Sequence, residues 1–130
     1  MTQPRPHYWS LTIAHHFGIE VRVHATFAVL LTWVFLQHLA RGQAWTAAIS
    51  GVVTVIAVFG TIVLHELGHA LVAQRFGIRT RDITLWPIGG IARLDRMPEK
   101  PHQELLVALA GPAVNVALAG IFGALVLATG

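Results

Sequence analysis

Apolar residues run almost unbroken over about residues 24–39 (HATFAVLLTWVFLQHL), and again from Gly42 to Leu64 without a charged side chain. The helical pattern of the second run continues through His65-Glu66-Leu67-Gly68-His69 to Arg75, so the spacing predicts one helix over about 44–75, stopped by Gly77. A third run covers about 104–129 and carries Gly111-Pro112 in its first half. Between the second and third runs, Ile83-Thr84-Leu85-Trp86 alternates and Pro87-Ile88-Gly89-Gly90 follows, which predicts a strand, a tight turn and a second short strand. Gly18 to Val23 alternates too, a short β-like stretch ahead of the first run. The pattern describes an all-α membrane protein with about three transmembrane helices, 24–39, 44–75 and 104–129. A short β-hairpin or re-entrant segment joins the second helix to the third. The first crossing is short, and the third ends at Gly130 with no flanking anchor, so residues 1–130 read as one membrane-embedded domain cut from a longer chain.

Composition sharpens this picture. Hydrophobic residues make up 55% of the chain and charged ones 12%, roughly half the charged share of a soluble domain, so the lipid bilayer is the expected solvent. The net charge of +3 does not imply nucleic acid, because the basic residues flank apolar runs and form no stripe on a polar domain. The link between the first two runs holds only Arg41, whereas the next link has Arg79, Arg81, Arg93, Arg96 and Lys100 just after Arg75. The positive-inside rule therefore puts the loop 76–103 and the amino terminus in the cytoplasm of a multi-pass protein of the cell membrane. Trp9, Trp45 and Trp86 are expected at the interfaces, and no apolar run followed by a small-residue cleavage site marks a removable signal peptide. Zero cysteines exclude a disulfide scaffold and a thiolate metal site, leaving His, Asp and Glu as metal donors.

The chemistry lies in His65-Glu66-Leu67-Gly68-His69. Residues four apart share a helical face, so His65 and His69 can offer two imidazole nitrogens to one zinc, about 2.0 Å from each. Glu66 beside them is placed as general base for a metal-activated water. In a membrane helix such a polar triplet costs several kcal/mol unless it faces a polar interior, which disfavours reading it as a chance patch. At 1.5 Å per residue, His65 lies about 15 Å and His69 about 9 Å inward of Arg75. Ser50, Thr54, Thr61, His65 and His69 fall on one arc of the helix, expected to face inward. Thr61 either supports a ligand imidazole or bonds back to its own helix.

Leu64-His65-Glu66-Leu67-Gly68-His69-Ala70, then Leu85-Trp86-Pro87-Ile88-Gly89-Gly90-Ile91-Ala92, then Ala110-Gly111-Pro112-Ala113-Val114-Asn115 together resemble the site-2 protease family, as does Gly18 to Phe27. The resemblance implies a zinc endopeptidase that cleaves transmembrane segments of other membrane proteins, as in regulated intramembrane proteolysis. It implies Zn2+ held by His65 and His69, Glu66 as catalytic base and Asn115 near the reacting carbonyl. An amide donor at Asn115 can stabilise an oxyanion, but it can equally bond to another helix. Gly111, Asn115, Ala119 and Gly123 recur every four residues, a small-residue face for close helix approach, and Pro112 predicts a kink. The hairpin around Pro87 either offers a strand edge to an unwound substrate or plugs the fold.

The resemblance also implies a third ligand, an aspartate within an Asp-Gly pair in a further helix, and the 130 residues contain no Asp-Gly. Asp82, Asp95, Glu99, His102 and Glu104 are the local substitutes, none at a spacing that completes the motif. The competing reading is therefore a catalytically inactive, truncated remnant or partner-binding protein. A proton- or metal-conducting protein is a third, disfavoured because it predicts paired ionisable residues on several helices and only one helix has them. Oligomeric state and substrate identity are not encoded in any motif.

Overall fold

The computed structural model describes residues 9–130, so the expected cytoplasmic, uncleaved amino terminus lies largely outside the described residues. The chain runs β1 (Ser10–His16), β2 (Ile19–His24), α1 (Ala25–Ala40), α2 (Trp45–Arg75), β3 (Thr80–Trp86), β4 (Gly89–Leu94) and α3 (Pro101–Thr129).

The fold is mostly helical but not all-α. The expected hairpin exists as β3 and β4, and it belongs to a four-stranded sheet of order β1-β2-β3-β4. β2 pairs antiparallel with β1 and parallel with β3, matching Glu20 to Asp82 and Val23 to Leu85. The β-like stretch Gly18 to Val23 is thus an inner strand. Its partners were not visible locally, because one lies upstream across a two-residue turn and the other beyond two helices. That turn places Phe17 (φ 53°) and Gly18 (φ 74°) in the left-handed region, the geometry of a tight hairpin loop, and Phe17 pays a steric cost that Gly18 does not.

Helix α2 has 31 residues and α3 has 29, and both are long and apolar enough to cross a membrane. The first expected crossing is a 16-residue helix, about 24 Å long, against a hydrocarbon thickness of about 30 Å. Two candidate spans therefore stand where three were expected. α2 runs through the histidine pair and ends as predicted, with Phe76 as cap and Gly77 at φ 73° turning the chain out of the helix. α3 starts three residues before its expected boundary, since Pro101 is preset for a first helical turn.

Ile19, Ile83 and Ala70 are fully buried together, with Leu67 and Ala92 packed against them. The inner face of the sheet thus sits on the C-terminal half of α2, over the turns that carry the polar triplet. On the opposite face Asp82 is buried and paired across the strands with Arg93, whose Nε donates to its Oδ1 at 2.9 Å. The hydrogen bond it donates to Asp82, opposed by desolvation and aided by that carboxylate's charge, holds the Arg93 guanidinium above its ordinary pKa.

Candidate metal centre

His65 and His69 meet one helical turn apart, with Nε2 atoms 3.1 Å from each other and ring planes at 80°. Two ligands of one tetrahedral zinc are separated by about 3.3 Å, close to this spacing. A hydrogen bond fixes the protonation of one ring. His69 Nδ1 lies 2.6 Å from the carbonyl oxygen of Val107 on α3, and only a protonated Nδ1 can donate to it. In the neutral ring the lone pair is then on Nε2, facing His65. If His65 Nε2 is also unprotonated, two lone pairs converge on one point. A shared cation relieves that arrangement; without one, the neutral His65 ring avoids it by carrying its proton on Nε2 and donating to His69 Nε2 across the 3.1 Å. His65 Nδ1 is buried and has no partner among the described residues.

Space around the pair is shaped by glycine. A Cβ at Gly111 would lie 2.6 Å from His65 Nε2 and in harder conflict with His69 Nε2, so only glycine lets α3 pass this close to the rings. One turn along, a Cβ at Gly68 would meet the Ala110 carbonyl oxygen and Val114 Cγ2, both at 2.8 Å. The two backbones therefore touch at the level of the motif. The small-residue face of α3 serves this approach at Gly111, which is buried, while nothing lies within 4 Å of a Cβ at Gly123.

A cavity of about 300 Å³ is lined by Thr61, Ile62, His65, Glu66 and Asn115. It brings together the carboxylate, one histidine and the amide that the sequence singled out from two helices. Asn115 has no hydrogen-bond partner among the described residues and is exposed, so no interhelical bond engages it here. Strand β4 approaches the same place: a Cβ at Gly90 would sit 3.3 Å from Glu66 Cγ and 3.1 Å from Ile62 Cγ2.

One open alternative on α2 closes and one expectation changes. Thr61 Oγ1 donates to Val58 O at 2.6 Å, so its hydroxyl bonds to its own helix, and the acceptor that orients a histidine is the Val107 carbonyl. The inward arc begins only near Thr61. Ser50 and Thr54 are exposed, and Thr54 Oγ1 bonds back to Ser50 O at 2.8 Å, which satisfies the hydroxyl without a protein interior. Among the described residues no three His, Asp or Glu side chains converge on one metal position. Asp82 and Asp95 are taken by Arg93 and Arg81, and Glu99 lies 3.7 Å from Arg96.

The model of peptidase family M50 matches residues 53–130. A putative zinc metalloprotease of Synechocystis sp. is 38% identical over 118 residues, covering 84% of this chain and 30% of the relative. A zinc metalloprotease of Methanocaldococcus jannaschii is 34% identical over 107 residues, covering 82% of this chain and 30% of that protein. The solved site-2 protease from Methanocaldococcus jannaschii superposes with a TM-score of 0.66 at 32% identity, covering 87% of this chain and 51% of that one. The chain thus spans about a third of the curated relatives' length.

Proposed function

We propose that this chain, which belongs to peptidase family M50, the zinc metalloproteases of site-2 type, carries the histidine pair and the base of an intramembrane endopeptidase. The observation that carries the reading is the convergence of two imidazole Nε2 atoms beside a cavity that also holds Glu66 and Asn115.

His65 and His69 would hold the zinc, with the Val107 carbonyl keeping the His69 proton on Nδ1 and its lone pair on Nε2. A bound zinc acidifies water and polarises a carbonyl. Glu66 accepts the proton of the attacking water through a carboxylate oxygen and returns it to the departing amine nitrogen. The Asn115 side-chain amide donates a hydrogen bond to the substrate carbonyl oxygen as it gains negative charge. Gly111 keeps the rings uncrowded. The substrate is the transmembrane segment of another membrane protein, which must unwind before cleavage. Its freed backbone groups then need partners, and β4 is an outer strand of the sheet lying beside Glu66, suited to pair with an extended peptide.

The protein is a multi-pass component of the cell membrane, with residues 76–103 on the cytoplasmic side where the arginines cluster. Residues 1–130 form one metalloprotease domain within a longer protein, whose further helix supplies the remaining zinc donor, an aspartate. The scarcity of donors around the histidine pair also suits a second reading, a zinc-binding but catalytically inactive partner protein.

Elemental analysis of the detergent-purified chain beside His65→Ala tests the metal assignment. Near one zinc per chain, lost in the variant, is expected, and no zinc in the wild type refutes it for this chain. Glu66→Gln, placed in the longer protein, should keep the zinc and lose cleavage of a transmembrane substrate by roughly 10²- to 10⁴-fold. Retained cleavage removes Glu66 from the mechanism, and a wild type that binds zinc without cleaving favours the second reading.

A further inference from the structure

A second cavity, about 590 Å³, opens where the end of α2 meets the β1–β2 turn and the start of β3. Phe17, Gln74, Arg79, Thr80, Arg81 and Asp95 line it, and none takes part in the proposed hydrolysis. Two guanidinium groups face one carboxylate, so the lining is net positive. Asp95 is bonded to Arg81, while Arg79 is exposed and its guanidinium has no partner among the described residues.

Thr80 is the more telling residue. It is 3% exposed, and its Oγ1 is buried with no hydrogen-bond partner among the described residues. A hydroxyl removed from water and left unmet is costly, and at the wall of a basic cavity it is a donor suited to an anion's oxygen. The cavity is also held in shape, because Gln74 Nε2 donates to the Phe17 carbonyl at 2.7 Å and ties the strand turn to the helix. Of the last carbonyls of α2, those of Ala73 and Gln74 are engaged by the backbone amides of Phe76, Gly77 and Ile78, which lessens the negative potential of the helix end that an anion must meet.

Position decides among anions. Gln74 and Arg75 end the long apolar helix, so this cavity lies at the level where hydrocarbon gives way to headgroups, and Phe17, 70% exposed, is at its rim. The volume is several times that of a lone phosphate and suits a glycerophosphate headgroup. Resting on the membrane reading above, we propose that this cavity holds the phosphodiester of an anionic phospholipid. Arg79 and Arg81 pair with the phosphate oxygens, Thr80 Oγ1 donates to one of them, and Phe17 lies among the first acyl carbons.

The test uses the full chain in mild detergent and zinc-free buffer, so neither metal loading nor proteolysis enters the readout. Phosphatidylglycerol, phosphatidylcholine and inorganic phosphate are titrated separately, with binding read by native mass spectrometry and by the shift in melting temperature. Phosphatidylglycerol is expected to bind best, and Arg79→Gln, an exposed change, should weaken it roughly tenfold. Thr80→Val should lose severalfold affinity for that lipid while the lipid-free protein melts no lower than the wild type. Equal binding of the two lipids, or unchanged phosphatidylglycerol affinity in both variants, overturns the proposal. So does inorganic phosphate that binds tightly and is not displaced by lipid, since the cavity is then a soluble-anion site. A chain that stays monodisperse without detergent refutes the membrane premise before any lipid is added.

Discussion

Replacing Gly111 with alanine probes the histidine pair without touching a donor atom. The added Cβ would lie 2.6 Å from His65 Nε2, short of an ordinary van der Waals separation by about 0.8 Å, and nearer still to His69 Nε2. Either the rings swing aside or α3 withdraws from α2, and Gly68 against Ala110 shows that the backbones already touch one turn away. Forcing a methyl group into a packed site costs about 1–3 kcal/mol, while alanine in a helix gains about 0.5–1 kcal/mol over glycine. The net change in stability is therefore about 0–2.5 kcal/mol. Metal binding has no such compensation, because zinc–nitrogen distances tolerate only about 0.2 Å. Gly111→Ala should hold zinc at least about 100-fold more weakly than the wild type, with a melting temperature close to it. Gly123→Ala, whose Cβ meets nothing within 4 Å, is the control and should bind zinc normally. Competition with a chelator gives the affinities and a thermal melt the stability. Zinc affinity unchanged in Gly111→Ala would refute the idea that this glycine makes room for the metal-binding rings.

Asn115→Ala in the longer protein should lower kcat by about 10²- to 10³-fold with little change in KM, the signature of a donor that acts on developing charge; a matched loss in both parameters would assign it to substrate binding. Phe17→Asn should raise the unfolding free energy by about 0.5–1 kcal/mol, because asparagine tolerates the left-handed conformation at φ 53°, and a lowered melting temperature would show that the exposed ring matters more than the backbone. Asp82→Asn should destabilise the sheet by about 1 kcal/mol, since the charge-assisted bond to Arg93 is weakened while the half-exposed guanidinium stays solvated, and chemical denaturation measures the difference.

How much of this was legible beforehand follows from the range of each interaction. The i, i+4 spacing of His65 and His69 is local, so the pair could be read directly, as could the course of α2 to Gly77. The β3–β4 hairpin was likewise signalled by Pro87-Ile88-Gly89-Gly90, since its two strands adjoin in the chain. The parallel pairing of β2 with β3 joins segments about 60 residues apart, and nothing in the alternation of Ile19 to Val23 names that partner. The Val107 carbonyl was invisible for a different reason: a backbone acceptor has no side-chain identity to search for. Pro112, read only as a kink, does not point to it either, since the carbonyl it deprives of an amide is that of Ala108, not Val107. Ser50 and Thr54 misled because helical hydroxyls bond to the preceding turn, so polarity on a wheel does not by itself mark an inward face.

The same parallel pairing sets the order in which the molecule can assemble. β2 emerges from the ribosome before α1 and α2, but its partner β3 follows them, so the central seam of the sheet must wait until both helices have been made. Closing so long a loop carries an entropic cost that is repaid only when Ile19, Ile83 and Ala70 come together. β4, with Gly90 over Glu66, follows β3 in the chain and pairs with it directly, so it too reaches its place only after α2 is made. During synthesis the carboxylate thus passes through a stage in which α2 is complete but its cover is not.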